Sequence, residues 1–172
     1  MNMEMFQRAA IGSVAFAAVL TDVYRKRIPN SLIFSGLLLA FGCQLKKWGV
    51  LGSIFFLGGT GLPILLLGGL YYFRMLGAGD IKLFAVLGGF LGVREICSCM
   101  AAAFLAGGLL SFLLMLYRGN FYRRLVYMKD YIQAILTDKQ WKPYRLEGQE
   151  DGEFCFTIPI FISVLCWIGG WI

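Results

Sequence analysis

Two aspartates sit where apolar runs meet polar sequence. Asp22 closes Ala17-Ala18-Val19-Leu20-Thr21, and Asp80 follows Gly77-Ala78-Gly79 just ahead of a second apolar run. Ionisable groups at membrane depth are costly and are commonly kept for function. Two carboxylates close together in a low-dielectric site cannot both ionise readily, so one keeps its proton and the pair titrates as a unit. In that state the ionised carboxylate can take a proton from a bound water while the protonated one polarises a carbonyl. Such chemistry requires no metal, no nucleophilic serine and no cofactor. Histidine is absent from the chain, which removes Ser-His-Asp and Cys-His arrangements and any H-E-x-x-H zinc site.

Three neighbours of the second aspartate have readings of their own. Gly77 and Gly79 carry no side chain that would block a substrate backbone from reaching Asp80, and they let the chain leave helical geometry. Lys82 follows two positions after Asp80, roughly on the opposite helix face. There it can orient a substrate group or tune the carboxylate pair, or simply extend to lipid head groups. Plainer roles exist for the aspartates too. Asp80 can be a helix N-cap, and Asp22 has Arg25 and Lys26 at i+3 and i+4 as helix-surface partners. Both plainer roles would have to coincide at one membrane face.

The elements that must position these groups follow from composition. Of 172 residues 59% are hydrophobic and 15% charged, and mean hydropathy is +0.71. A soluble domain is nearer 45–50% apolar with glycine counted, so lipid is the solvent for most of this surface. The expected fold is all-α: one polytopic membrane domain over 1–172, with about six transmembrane helices. Apolar spans read as Met5–Leu20, Ser31–Leu45, Gly49–Phe73, Ile81–Val93, Ile96–Tyr117 and Phe154–Ile172. The third is long enough to tilt or kink at Gly61-Leu62-Pro63, while the second and fourth are short for a bilayer core of about 30 Å. An even number of crossings separates Asp22 from Asp80, which puts both at one face. That face also carries twelve of the sixteen basic residues, which points it to the cytoplasm.

The net charge of +6 is therefore better explained by topology than by a nucleic-acid surface. Cys43, Cys97, Cys99, Cys155 and Cys166 include no C-x-x-C pair and read as free thiols. Ala15-Phe16-Ala17 matches a signal-peptide cleavage pattern, but no positive cluster precedes it and further spans follow, so a retained helix is expected. The polar stretch 118–153 is expected to be a cytoplasmic loop. Phe121 to Leu136 within it has the pattern of an amphipathic helix on an anionic leaflet, or of an ordinary solvated helix. The acidic group Glu147, Glu150, Asp151 and Glu153 can attract a basic partner or be a solvated loop.

The chain resembles the type IV prepilin peptidases, membrane aspartyl proteases with a G-x-G-D motif. That motif stands here as Gly77-Ala78-Gly79-Asp80, followed by Lys82, Gly88 and Gly92. Asp22 to Asn30 is similar to the family's first-aspartate segment: an aspartate, the basic cluster Arg25-Lys26-Arg27, then Ile28-Pro29-Asn30. Phe154 to Pro159 matches the closing helix loosely. The resemblance implies that Asp22 and Asp80 are the catalytic pair. It also implies a multi-pass enzyme of the inner (cytoplasmic) membrane, cutting positively charged leaders from prepilins or pseudopilins whose helix lies in the lipid. The chain lacks the cysteine-bearing N-terminal region of the larger bifunctional members, so N-methyltransferase activity is not expected. Presenilin and signal-peptide-peptidase proteins share G-x-G-D but pair it with Tyr-Asp and Pro-Ala-Leu, neither of which fits here. Two rival functions use the same residues differently: a small transporter relaying protons through the carboxylates, and a noncatalytic component of a pilus or secretion assembly. Oligomeric state is not legible.

Overall fold

The computed structural model describes residues 3–73, 75–117 and 155–171. Among them every regular element is helical: α1 (Met3–Arg25), α2 (Asn30–Trp48), α3 (Leu51–Tyr72), α4 (Ala78–Leu91), α5 (Val93–Tyr117) and α6 (Thr157–Ile168). Arg74, the expected amphipathic stretch 121–136, the acidic group 147–153 and Phe154 lie outside the described residues. The chain groups into two compact units, one of residues 1–107 with 155–172 and one of residues 108–154. In the second, only the last turns of α5 are described.

Among the described residues three helices are long and apolar enough to cross a membrane: Met3–Arg25, Leu51–Tyr72 and Val93–Leu114. The chain is a membrane protein with at least these candidate spans, fewer than the six that apolar runs suggested. Three shortfalls have different causes. The α4 helix has 14 residues, or roughly 21 Å. The α6 helix has 12 residues. The α2 helix ends in Gln44, Lys46 and Lys47, which dilute its apolar window.

Spacing explains which faces turn inward. In α1 the buried residues are Ile11, Val14, Ala15 and Ala18, one helical stripe at i, i+3, i+4 and i+7. In α4 there is no stripe, because Ile81 and every residue from Leu83 to Phe90 are buried. This helix is enclosed by its neighbours and fills the centre of the first unit, lying most extensively along α3, then along α2 and then along α1. The opposite faces of the outer helices are apolar as well: Leu65 is 82% and Leu105 76% exposed. Water is a poor solvent for such a surface, and lipid a good one.

Glycine sets how closely α3 and α4 approach. A Cβ on Gly59 would lie 2.0 Å from the Gly88 carbonyl oxygen, and one on Gly88 equally close to the Gly59 oxygen. The two backbones therefore touch directly, as small residues allow between helices in lipid. The α3 helix runs through Pro63 without a break. Proline has no N–H to give the carbonyl four residues earlier, so the Gly59 oxygen is left facing Gly88 rather than its own helix. At the far end of α4, Gly92 has φ +82° and turns the chain into α5 in a single residue. Arg94 and Glu95, which separate the fourth and fifth apolar spans in the sequence, lie in the first turn of α5.

Candidate functional site

One end of the first unit collects the C-terminus of α1, the N-termini of α2 and α4, and the N-terminus of α6. Asp22 and Asp80 both lie here, partly buried. The α1 helix continues one turn past Asp22 and stops at Arg25, with Lys26 at φ 52° as its left-handed cap. The Lys26 N–H donates to the Asp22 carbonyl at 2.7 Å, which satisfies one of the helix's last carbonyls.

Asp80 is not the N-cap of α4. Gly77 holds that position with extended backbone, and Asp80 sits three residues on, its carboxylate accepting the Gly77 N–H. This is half of a capping box. Gly77 has an ordinary φ of −73°, so its lack of a side chain matters for space: a Cβ there would stand 3.0 Å from Asp80 Oδ2. Gly79 lies within α4 rather than outside it, and its Cα faces Ile28, which a Cβ would meet at 3.4 Å.

Lys82 does not extend free into the head-group region. Its Nζ donates to Asn30 Oδ1 at 2.9 Å, on the first residue of α2. Pro29 caps α2 with its carbonyl, which accepts the N–H groups of Leu32 and Ile33. The segment Ile28-Pro29-Asn30 thus meets the segment Gly79-Asp80-Ile81-Lys82 twice, by packing and by a hydrogen bond.

Asp80 lies at the end of α4, outside the three helices that can cross the membrane. Burial, and secondly the neighbouring Asp22 charge, push its carboxyl up to about 6, against the Gly77 N–H, which favours the charged form. The structure therefore brings the two carboxylates near enough for one charge to oppose the other. Each keeps a different companion. Thr157, wholly buried at the start of α6, donates its hydroxyl to Asp22 Oδ2. Sequence reasoning assigned Thr157 no role. A threonine in an apolar closing helix was the available signal, but its partner is 135 residues away.

Arg25 and Arg27 are exposed beside the pair. Among the described residues no group of Cys, Asp and Glu is placed to hold a metal ion. The arrangement can do one kind of chemistry directly: proton exchange between two unlike carboxyls and whatever lies between them.

Comparison with known proteins adds the family. The model of the type IV leader peptidase family matches residues 9–112, a stretch that holds both aspartates and the Ile-Pro-Asn and G-x-G-D segments. No curated protein and no solved structure matches the chain.

Proposed function

The chain belongs to the type IV leader peptidase family, and on that premise we propose that it is a membrane aspartyl endopeptidase using Asp22 and Asp80. Its substrates are prepilin or pseudopilin precursors, whose positively charged leaders it removes at the cytoplasmic face of the inner membrane. The observation that carries this reading is that both carboxyls lie at one end of the bundle, where burial and then Asp22's charge raise the Asp80 carboxyl to about 6.

The roles divide by environment. Asp22 accepts the Thr157 hydroxyl, which holds its carboxylate in place, and serves as base. It takes a proton from water as the oxygen bonds to the scissile carbonyl carbon. Asp80, carrying the proton, donates toward the carbonyl oxygen and stabilises the charge that develops there. Collapse of the tetrahedral intermediate breaks the C–N bond. The proton held by Asp22 then leaves with the new amine, and Asp80 recovers its own. Gly77 keeps the approach to Asp80 low, Gly79 lets Ile28 pack close, and Lys82 with Asn30 braces the two motif segments in register.

The test is co-expression with a candidate prepilin, read as the mobility of the processed form. Cleavage is expected with the native chain and is lost with Asp22→Asn and with Asp80→Asn, while both variants still accumulate in the membrane. A carrier would lose flux instead and show no cleavage in detergent. An assembly component would tolerate both substitutions.

A further inference from the structure

At the end of α4 remote from the aspartates, roughly 20 Å away along its axis, the first unit contains a cavity of about 320 Å³. It lies where α1, α3 and α5 begin and where α2, α4 and α6 end. The three helices able to cross a membrane all start at this level, which places the cavity at head-group depth. Its floor is the last turn of α4, and that floor is chemically closed. Buried Gln44 donates to the carbonyls of Gly89 and Phe90 at 3.1 and 3.0 Å, and Gln7 donates to the Phe90 carbonyl as well. These two carbonyls, of the four that a helix end leaves unpaired, are therefore already satisfied and make no demand on an occupant.

The walls are different. Glu4, Arg8, Lys47 and Glu95 all line the cavity, and among the described residues none forms an ion pair with another. Two tryptophans frame them. Trp167 donates its Nε1–H to Glu95 Oε2 at 3.0 Å and lies under the Arg8 guanidinium, 5.9 Å from the ring centroid. Trp48 packs on Phe55 at 5.5 Å, and both continue outward as exposed apolar surface. Tryptophans favour this depth because one part of the ring system is apolar and the other donates.

Two cations and two carboxylates, held apart around one cavity, suit a ligand that carries both charges. We propose that this cavity holds the head group of a zwitterionic aminophospholipid, its phosphate between Arg8 and Lys47 and its ammonium toward Glu4 and Glu95. The Trp48–Phe55 wall then leads to the acyl chains. An anionic lipid would leave both carboxylates unanswered. A trimethylammonium head group could not donate hydrogen bonds to them, so a primary amine is selected. This inference does not rest on the peptidase reading, since it invokes neither aspartate.

The experiment is native mass spectrometry of the full chain, delipidated and then released from nanodiscs of equimolar phosphatidylethanolamine, phosphatidylcholine and phosphatidylglycerol with identical acyl chains. The native protein is expected to retain phosphatidylethanolamine preferentially. The pair Arg8→Gln and Lys47→Gln should lower retention of both phosphatidylethanolamine and phosphatidylglycerol roughly tenfold, as expected for lost charge-assisted hydrogen bonds. The pair Glu4→Gln and Glu95→Gln should turn the preference toward phosphatidylglycerol, because the cations remain alone; glutamine still offers Trp167 an acceptor. Unaltered circular dichroism certifies the fold of each variant. Equal retention of the three lipids by the native chain overturns the proposal. So does retention that the Arg8 and Lys47 pair leaves unchanged, or a preference that the Glu4 and Glu95 pair leaves unchanged, in a folded protein.

Discussion

Replacing Asp80 by asparagine should abolish cleavage and yet make the protein harder to unfold at neutral pH. The folded protein raises this carboxyl from 3.8 to about 6, chiefly through burial and then through Asp22. Binding the proton more tightly when folded means that stability is greatest below about pH 4, falls as pH rises toward 6, and stays at the lower level above it. The full displacement corresponds to about 3 kcal/mol. Part of the carboxylate still meets solvent, so about 1–2 kcal/mol is the realistic share once screening is allowed for. Asparagine keeps an acceptor for the Gly77 N–H and removes only the charge. Thermal midpoints in detergent micelles, followed by tryptophan fluorescence at pH 4.5 and pH 7.5, read the effect. The variant should gain roughly 2–8 °C over the native protein at pH 7.5 and distinctly less at pH 4.5, where the folded carboxyl is protonated but the unfolded one is already mostly ionised. A gain of equal size at both values, or a loss at pH 7.5, would refute the placement of a destabilised carboxylate at this position.

Thr157→Val keeps the shape of a wholly buried side chain and removes its donor to Asp22. Cleavage should slow by roughly 10–100-fold, the loss of one hydrogen bond to a charged group, while Thr157→Ser stays near the native rate in the same co-expression assay. Gly59→Ala would place a methyl 2.0 Å from the Gly88 carbonyl oxygen, and neither backbone can yield by a rotamer change. A loss of about 3 kcal/mol or more is expected, seen as reduced yield of folded protein in detergent.

The co-location of Asp22 and Asp80 was legible because an even count of crossings is insensitive to the exact ends of each helix. The enclosed character of α4 was half legible. Its run from Ile81 to Leu91 has no polar face apart from Lys82, which suits burial, yet hydropathy alone cannot tell lipid from protein as the apolar surroundings. Arg94 and Glu95 separate the fourth and fifth apolar spans in the sequence. Gly92, with a backbone conformation that other residues rarely adopt, reverses the chain alone and leaves both charges on a helix. Gly88 belonged to a motif on sight, but its duty is a contact with Gly59, and no periodicity announces which two glycines will touch. Thr157 and Gln44 were invisible for the same reason: each finds its partner only once distant helices have docked.

The close seam between α3 and α4 has a mechanical consequence. With backbone against backbone at Gly59 and Gly88, and Phe56 and Thr60 seated on Gly89, these two helices move as one piece, and α2 is packed along both; that piece carries Asp80. Asp22 rides on α1, whose main companion is α6, and α1 lies against α4 less extensively than against α6 or α2. The bundle is thus built like a vice with one fixed jaw and one adjustable jaw, each bearing a single acid. Sliding the α1–α6 pair by a fraction of an ångström changes the gap between the acids while leaving the tightest packing in the molecule undisturbed.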